Sequence, residues 1–131
     1  MEKRGFTLIE LLIVIAIIAI LAAGIVIAIN PGRHFVQARN STRLSHMNAI
    51  ANAVYTYTAE HGGVYPPCIP AYPGNTNVNN CSGDLVPDYI SQIPVPPLTG
   101  ENYMIQFDNA AQNRIRIFST ASEATSVVVI R

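Results

Sequence analysis

An excess of either charge is missing from this chain: eight Lys and Arg stand against eight Asp and Glu, for a formal net charge of zero. A nucleic-acid-binding surface normally shows as a clear basic surplus, so that class of partner is not expected. The constellations that chemistry requires are missing too. No nucleophile lies in a motif with a base, no phosphate-cradling glycine loop is present, and His34, His46 and His61 have no ligand spacing on one helical face. An enzyme is therefore not expected, and no catalytic residue or cofactor is assigned. Cysteine is scarce, with Cys68 and Cys81 as the only two. His61 alone is near them in sequence, which gives no four-ligand metal set. No internal repeat is visible, and 131 residues leave room for at most one globular domain once a membrane segment is set aside.

Polar side chains are absent from Leu11 to Ile29, and a helix of about 20 apolar residues crosses a bilayer. Lys3 and Arg4 before this run favour a cytoplasmic amino terminus, although Arg33, Arg39 and Arg43 after it oppose that orientation. The cysteines help decide. A pair flanking a loop rich in Asn and Gly reads as a disulfide formed outside the cytoplasm, and that loop is too polar to bury two free thiols. A cleavable secretory signal is the rival, with Ala22-Ala23-Gly24 as its cleavage site. The apolar run exceeds the ~7–15 residues of such a signal, which also would not place Glu10 at its threshold. An unpaired carboxylate there costs up to a few kcal/mol, about 2.5–3.5 at the helix centre. Its partner must come from the leader, from another chain or from a terminus created by cleavage; otherwise it snorkels to water.

Gly5-Phe6-Thr7-Leu8-Ile9-Glu10-Leu11-Leu12, running into this span, resembles the processing and methylation signal of bacterial type IV pilins and of the pseudopilins of type II secretion. The resemblance implies that a prepilin peptidase cuts between Gly5 and Phe6 and N-methylates Phe6. It also implies that Glu10 pairs with a neighbour's terminal amine during filament assembly. Partners would be further copies in a helical filament, the peptidase, the pilus or secretion assembly machinery and the inner membrane. The protein would be held there as a single-pass precursor before joining a pilus or periplasmic pseudopilus.

The segments expected from this reading are a leader over 1–5, a membrane and filament-core helix over 6–30, an amphipathic helix over 31–61, and a disulfide-containing loop with a small sheet over 62–131. Ala16, Ala19 and Ala23 fall at helical spacing and would let helices approach closely. A kink near Pro31, or a break with Asn30 capping the next helix, is expected because proline removes a backbone donor. Between Arg33 and His61, Leu44, Met47, Ile50, Ala51, Val54, Tyr57 and Thr58 form one stripe, with Arg39, Arg43, His46 and Asn52 away from it. The three histidines are expected to be solvated or locally bonded. Gly62 and Gly63 end the helix, and Gly63-Val64-Tyr65-Pro66 resembles the turn after the long helix of many pseudopilins and small pilins.

Cys68 to Gly83 reads as loop, Asp84 to Ile90 as a short helical turn, and Tyr103 to Phe107, Arg114 to Phe118 and Ser126 to Ile130 as strands. The fold class is thus α+β: a long amino-terminal helix packed on an antiparallel sheet of about three strands, pilin-like. Many major pseudopilins bind calcium beside the sheet through a Pro-x-Asp-Pro segment. Here Pro94-Val95-Pro96-Pro97 puts proline at the aspartate position, so Glu101, Asp84, Asp88 and Asp108 are expected to be solvated rather than gathered around the 6–8 oxygens calcium wants. Asn40-Ser41-Thr42 and Asn80-Cys81-Ser82 match a glycosylation sequon of a length that arises often by chance. Three functional readings stay open: a filament subunit, a membrane-anchored monomer that binds an external ligand through the Cys68–Cys81 loop, and an enzyme whose site does not show in one sequence.

Overall fold

The computed structural model describes residues 5–124 and 128–130, the side chains of 27–29 excepted. It divides into two units, Met1–Phe35 and Val36–Arg131. In the first, α1 spans Leu8–Ile29. Thr7 adopts extended backbone and caps it, so the helix starts at the motif itself. Every large apolar side chain described from Leu8 to Val26 is exposed, as suits a helix whose solvent is lipid or other helices. Asn30 closes α1 with φ 45° and ψ 76°, a left-handed conformation that Asn tolerates better than most residues. The carbonyl of Asn30 accepts the Arg33 N–H at 3.1 Å. Pro31 opens α2, Pro31–Glu60, at a position where its fixed φ and missing N–H do no harm. The break expected near Pro31 is therefore present, with Asn30 ending one helix through its backbone.

In the second unit α2 buries Arg43, Met47, Ile50, Ala51, Ala53, Val54 and Thr58. Of the expected stripe Met47, Ile50, Ala51, Val54 and Thr58 are buried and Tyr57 is half-buried; at its start Leu44 is 45% exposed while Arg43 is fully buried. Arg43 lies one turn before Met47, and carboxylates from the sheet side neutralise it there. The helix ends in a Schellman motif, in which Gly62 takes φ +64° and the Gly63 N–H bonds the Thr58 carbonyl at 2.8 Å.

The sheet has four antiparallel strands in sequential order: β1 Asn75–Asn77, β2 Tyr103–Phe107, β3 Ile115–Ser119 and β4 Val128–Ile130. The expected three strands thus become four. β1 lies inside the stretch read as loop, followed by a 3-10 turn Val78–Cys81 and a short helix α3, Ser82–Leu85. That helix begins and ends earlier than the turn expected at Asp84 to Ile90, whose later part is held by Tyr89 and Ile90 N–H bonds to the Leu85 carbonyl. The expected Ser126 lies outside the described residues. Tyr103 pairs with Ser119, Ile105 with Ile117 and Phe107 with Ile115. This alternation buries Tyr103, Ile105, Phe107, Ile115 and Ile117 on one face, where they form a core with Met47, Ile50 and Val54 of α2. Cys68 and Cys81 are joined by a disulfide, and Cys81 is itself part of this core.

Candidate functional site

The motif forms a small, complete device at the start of α1. Gly5 and Phe6 are exposed, Phe6 at 83%, and precede the helix. The Glu10 carboxylate accepts the Thr7 N–H at 2.9 Å and the Thr7 hydroxyl at 2.8 Å, and the Thr7 oxygen accepts the Glu10 N–H at 3.3 Å. This is a reciprocal capping box. The carboxylate is therefore satisfied within its own chain, by a residue on the helix side of the Gly5–Phe6 bond. Thr7 was legible as the Thr-x-x-Glu capping pattern, a signal the pilin-like reading of Glu10 passed over. By length and composition Leu8–Val26, with mean hydropathy 3.0, is apolar enough to cross a membrane.

A second constellation fastens α2 to the distal segments. Arg43 meets Glu101 side on, Nε to Oε1 at 2.6 Å and Nη2 to Oε2 at 2.9 Å, with side-chain exposures of 0% and 2%. Arg39 makes the same fork with Glu123 at 2.6 and 2.8 Å, and Arg43 Nη2 reaches Glu123 at 2.8 Å. Arg43 Nη1 donates to Asn40 at 2.7 Å, and the Ser119 hydroxyl donates to Glu101. Burial opposes the charge on Glu101, yet the Arg43 and Ser119 hydrogen bonds outweigh it and hold its pKa below the ordinary value. The Arg39 hydrogen bonds, against some desolvation and with Arg43 helping, bring Glu123 down to about 2. Burial, with the Glu101 charge adding, pushes the Tyr103 phenol up to about 12, so it stays protonated beside His46 Nδ1 at 3.0 Å. Two guanidinium groups and two carboxylates neutralise one another here, which makes the cluster a fastener rather than an acid or a base.

Arg39, Arg43 and His46 were expected on the solvent side of α2, and Glu101 among the solvated carboxylates. They are corrected together: each gains a partner from a distant strand or loop, and a paired charge can be buried. His61 is locally bonded, stacked on Tyr57 with ring centroids 3.9 Å apart and Nδ1 against the Tyr57 carbonyl at 2.8 Å. Asp84 and Asp88 do not join Glu101, and among the described residues no group of three or more His, Cys, Asp or Glu could hold a metal ion.

Comparison with known proteins bears on the first constellation. Residues 1–26 match the family model described as the prokaryotic N-terminal methylation motif. No curated protein and no solved structure matches the chain. The matched residues take in the exposed Gly5–Phe6 junction, the Thr7–Glu10 cap and the apolar helix to Val26. The chain thus carries at its amino terminus the prokaryotic N-terminal methylation motif, the class III signal of type IV pilins and pseudopilins.

Proposed function

We propose that the protein is the precursor of a structural subunit of a type IV pilus or pseudopilus. Held in the cytoplasmic membrane by α1, it is cut by a prepilin peptidase between Gly5 and Phe6, N-methylated on Phe6 and assembled through α1 into an extracytoplasmic filament. The observation that carries this reading is the coincidence of the methylation motif with the first turn of an apolar helix whose large apolar side chains described from Leu8 to Val26 are all exposed.

The chemistry follows from the atoms at that turn. Hydrolysis of the Gly5–Phe6 peptide bond leaves a carboxylate on the leader and an amine on Phe6, which is cationic below about pH 7.7–8.0. Methylation of this nitrogen keeps its basicity. Glu10 lies one turn further on. In the monomer the Thr7 cap holds its carboxylate; in the filament the cationic Phe6 nitrogen of a neighbouring copy supplies a full countercharge, a stronger partner than a hydroxyl in a medium without water. The exchange favours packed helices over isolated ones. The distal unit is closed by its disulfide and ion-pair clasp.

Mass spectrometry of protein recovered from cells with a prepilin peptidase tests this. An amino terminus at methylated Phe6 supports the reading. An amino terminus near Ala23 or Gly24 means removal of α1 as a secretory signal and rules the reading out.

A further inference from the structure

The five residues of β2, Tyr-Met-Ile-Gln-Phe, hold no charge and no proline. A strand of that composition, with aromatic and branched side chains, pairs readily with any strand presented to it, its own copy included. One edge of β2 is taken by β3 along its whole length, and the other by β1. β1 is an unusual choice for that duty. It is Asn75-Thr76-Asn77, two of three residues being disfavoured in strands, and none of the three is fully buried. Its own packing cannot hold it in place.

Its flanks and its outer edge explain the arrangement. Ile69 on one side and Val78 and Cys81 on the other are sealed in the core. The Asn77 amide donates to the Asn102 side chain at 2.9 Å, and the Asn80 amide to the Thr76 hydroxyl at 2.9 Å. The disulfide brings the Cα atoms of Cys68 and Cys81 to 5.2 Å, closing a loop in which β1 is the only strand. Facing outward, β1 is short and polar, the kind of edge that does not recruit another strand.

We propose that β1 is a guard strand, that the Cys68–Cys81 disulfide holds it over the edge of β2, and that this covered edge is a latent pairing surface for the same edge of a second copy. Opening the disulfide leaves the loop ends free to separate. The ladder of β1 then opens before the core does, because Asn75–Asn77 contribute no side chain to the core cluster, in which Ile69, Val78 and Cys81 stay packed.

The test compares three forms of the full chain in detergent micelles: untreated, reduced by a dithiol, and Thr76→Pro with its disulfide intact. The dithiol gives two electrons and two protons to the Cys68–Cys81 bond and itself closes to a disulfide. Proline at position 76 weakens the guard without touching the cysteines. In both altered forms, hydrogen exchange at 75 and 77 and at the β1-facing amides of 103–107 should rise on the order of tenfold or more, while residues 47–54 of α2 stay protected. Both should sediment as larger species than the untreated chain, and Gln106→Lys, which places a charge in β2, should abolish the difference. Unchanged exchange in β2, loss of protection throughout the unit, or association of the reduced chain without association of Thr76→Pro would each overturn the proposal.

Discussion

Arg43 and Glu101 face each other in a sealed interior, fork to fork at 2.6 and 2.9 Å, with side chains 0% and 2% exposed. They join the middle of α2 to the entrance of β2, so the helix and the sheet share one buried bond as well as one apolar core. Arg43→Ala leaves the buried Glu101 carboxylate with the Ser119 hydroxyl and no countercharge, and should destabilise the distal unit by about 3–5 kcal/mol. Glu101→Ala should cost less, because Glu123 and Asn40 still hold Arg43. The double replacement Arg43→Met with Glu101→Leu should recover most of that loss. Urea unfolding of the full chain in detergent reads all three.

Glu123 gives the clasp its pH dependence. Its pKa is near 2 in the folded chain, held down chiefly by Arg39, against about 4.3 in an unfolded one. A group depressed on folding contributes stability that is complete above its unfolded value and lost as pH falls through its folded value. The loss should therefore run from about pH 5 down to about pH 2, with Glu101 contributing in the same direction. Glu123→Gln should flatten that acid limb. An unaltered acid limb in this variant would show that the ion pairs do not act as described.

Gly5 meets nothing within 4 Å where a Cβ would stand. The precursor itself thus has room for a side chain, and any demand for glycine arises in the peptidase. Gly5→Ala should be processed at a reduced but measurable rate, and Gly5→Leu should accumulate as intact precursor in the membrane. Gel mobility and amino-terminal mass spectrometry separate the two.

Thr7 should matter before assembly. Replacing it with Val removes the hydroxyl from both of its hydrogen bonds with the helix start, a loss of about 0.5–2 kcal/mol for an N-cap. The fraction of precursor resisting alkaline extraction from membranes should fall for Thr7→Val and recover for Thr7→Ser.

Which parts of this were legible in the sequence follows from what carries each signal. Apolar length announced α1, and strict alternation placed β2 at Tyr103–Phe107 and β3 within one residue. β1 was read as loop because Asn-Thr-Asn has no alternation of apolar residues; its pairing comes from backbone bonds and the closed loop. The clasp left no mark in the sequence. Arg43 and Glu101 are 58 residues apart and Arg39 and Glu123 are 84 apart, and on a helical wheel a buried arginine is written like a solvated one. Only the paired carboxylates reveal the difference. Thr7 lay in plain view within a short capping pattern, and Asn30 beside a proline marked the end of α1 although the left-handed backbone that ends it did not show.

In the proposed assembly Glu10 exchanges the Thr7 cap for the freed amine of a neighbouring Phe6 as helices pack. Glu10→Leu tests it most directly, co-expressed with a prepilin peptidase and assembly machinery, by measuring in the same cells the membrane-inserted subunit and the subunit that sediments as filament. Leucine removes the few kcal/mol that a carboxylate costs in lipid, so insertion should equal or exceed wild type while filament yield collapses. Wild-type filament yield from Glu10→Leu, with insertion unchanged, would contradict the exchange and favour an anchored monomer.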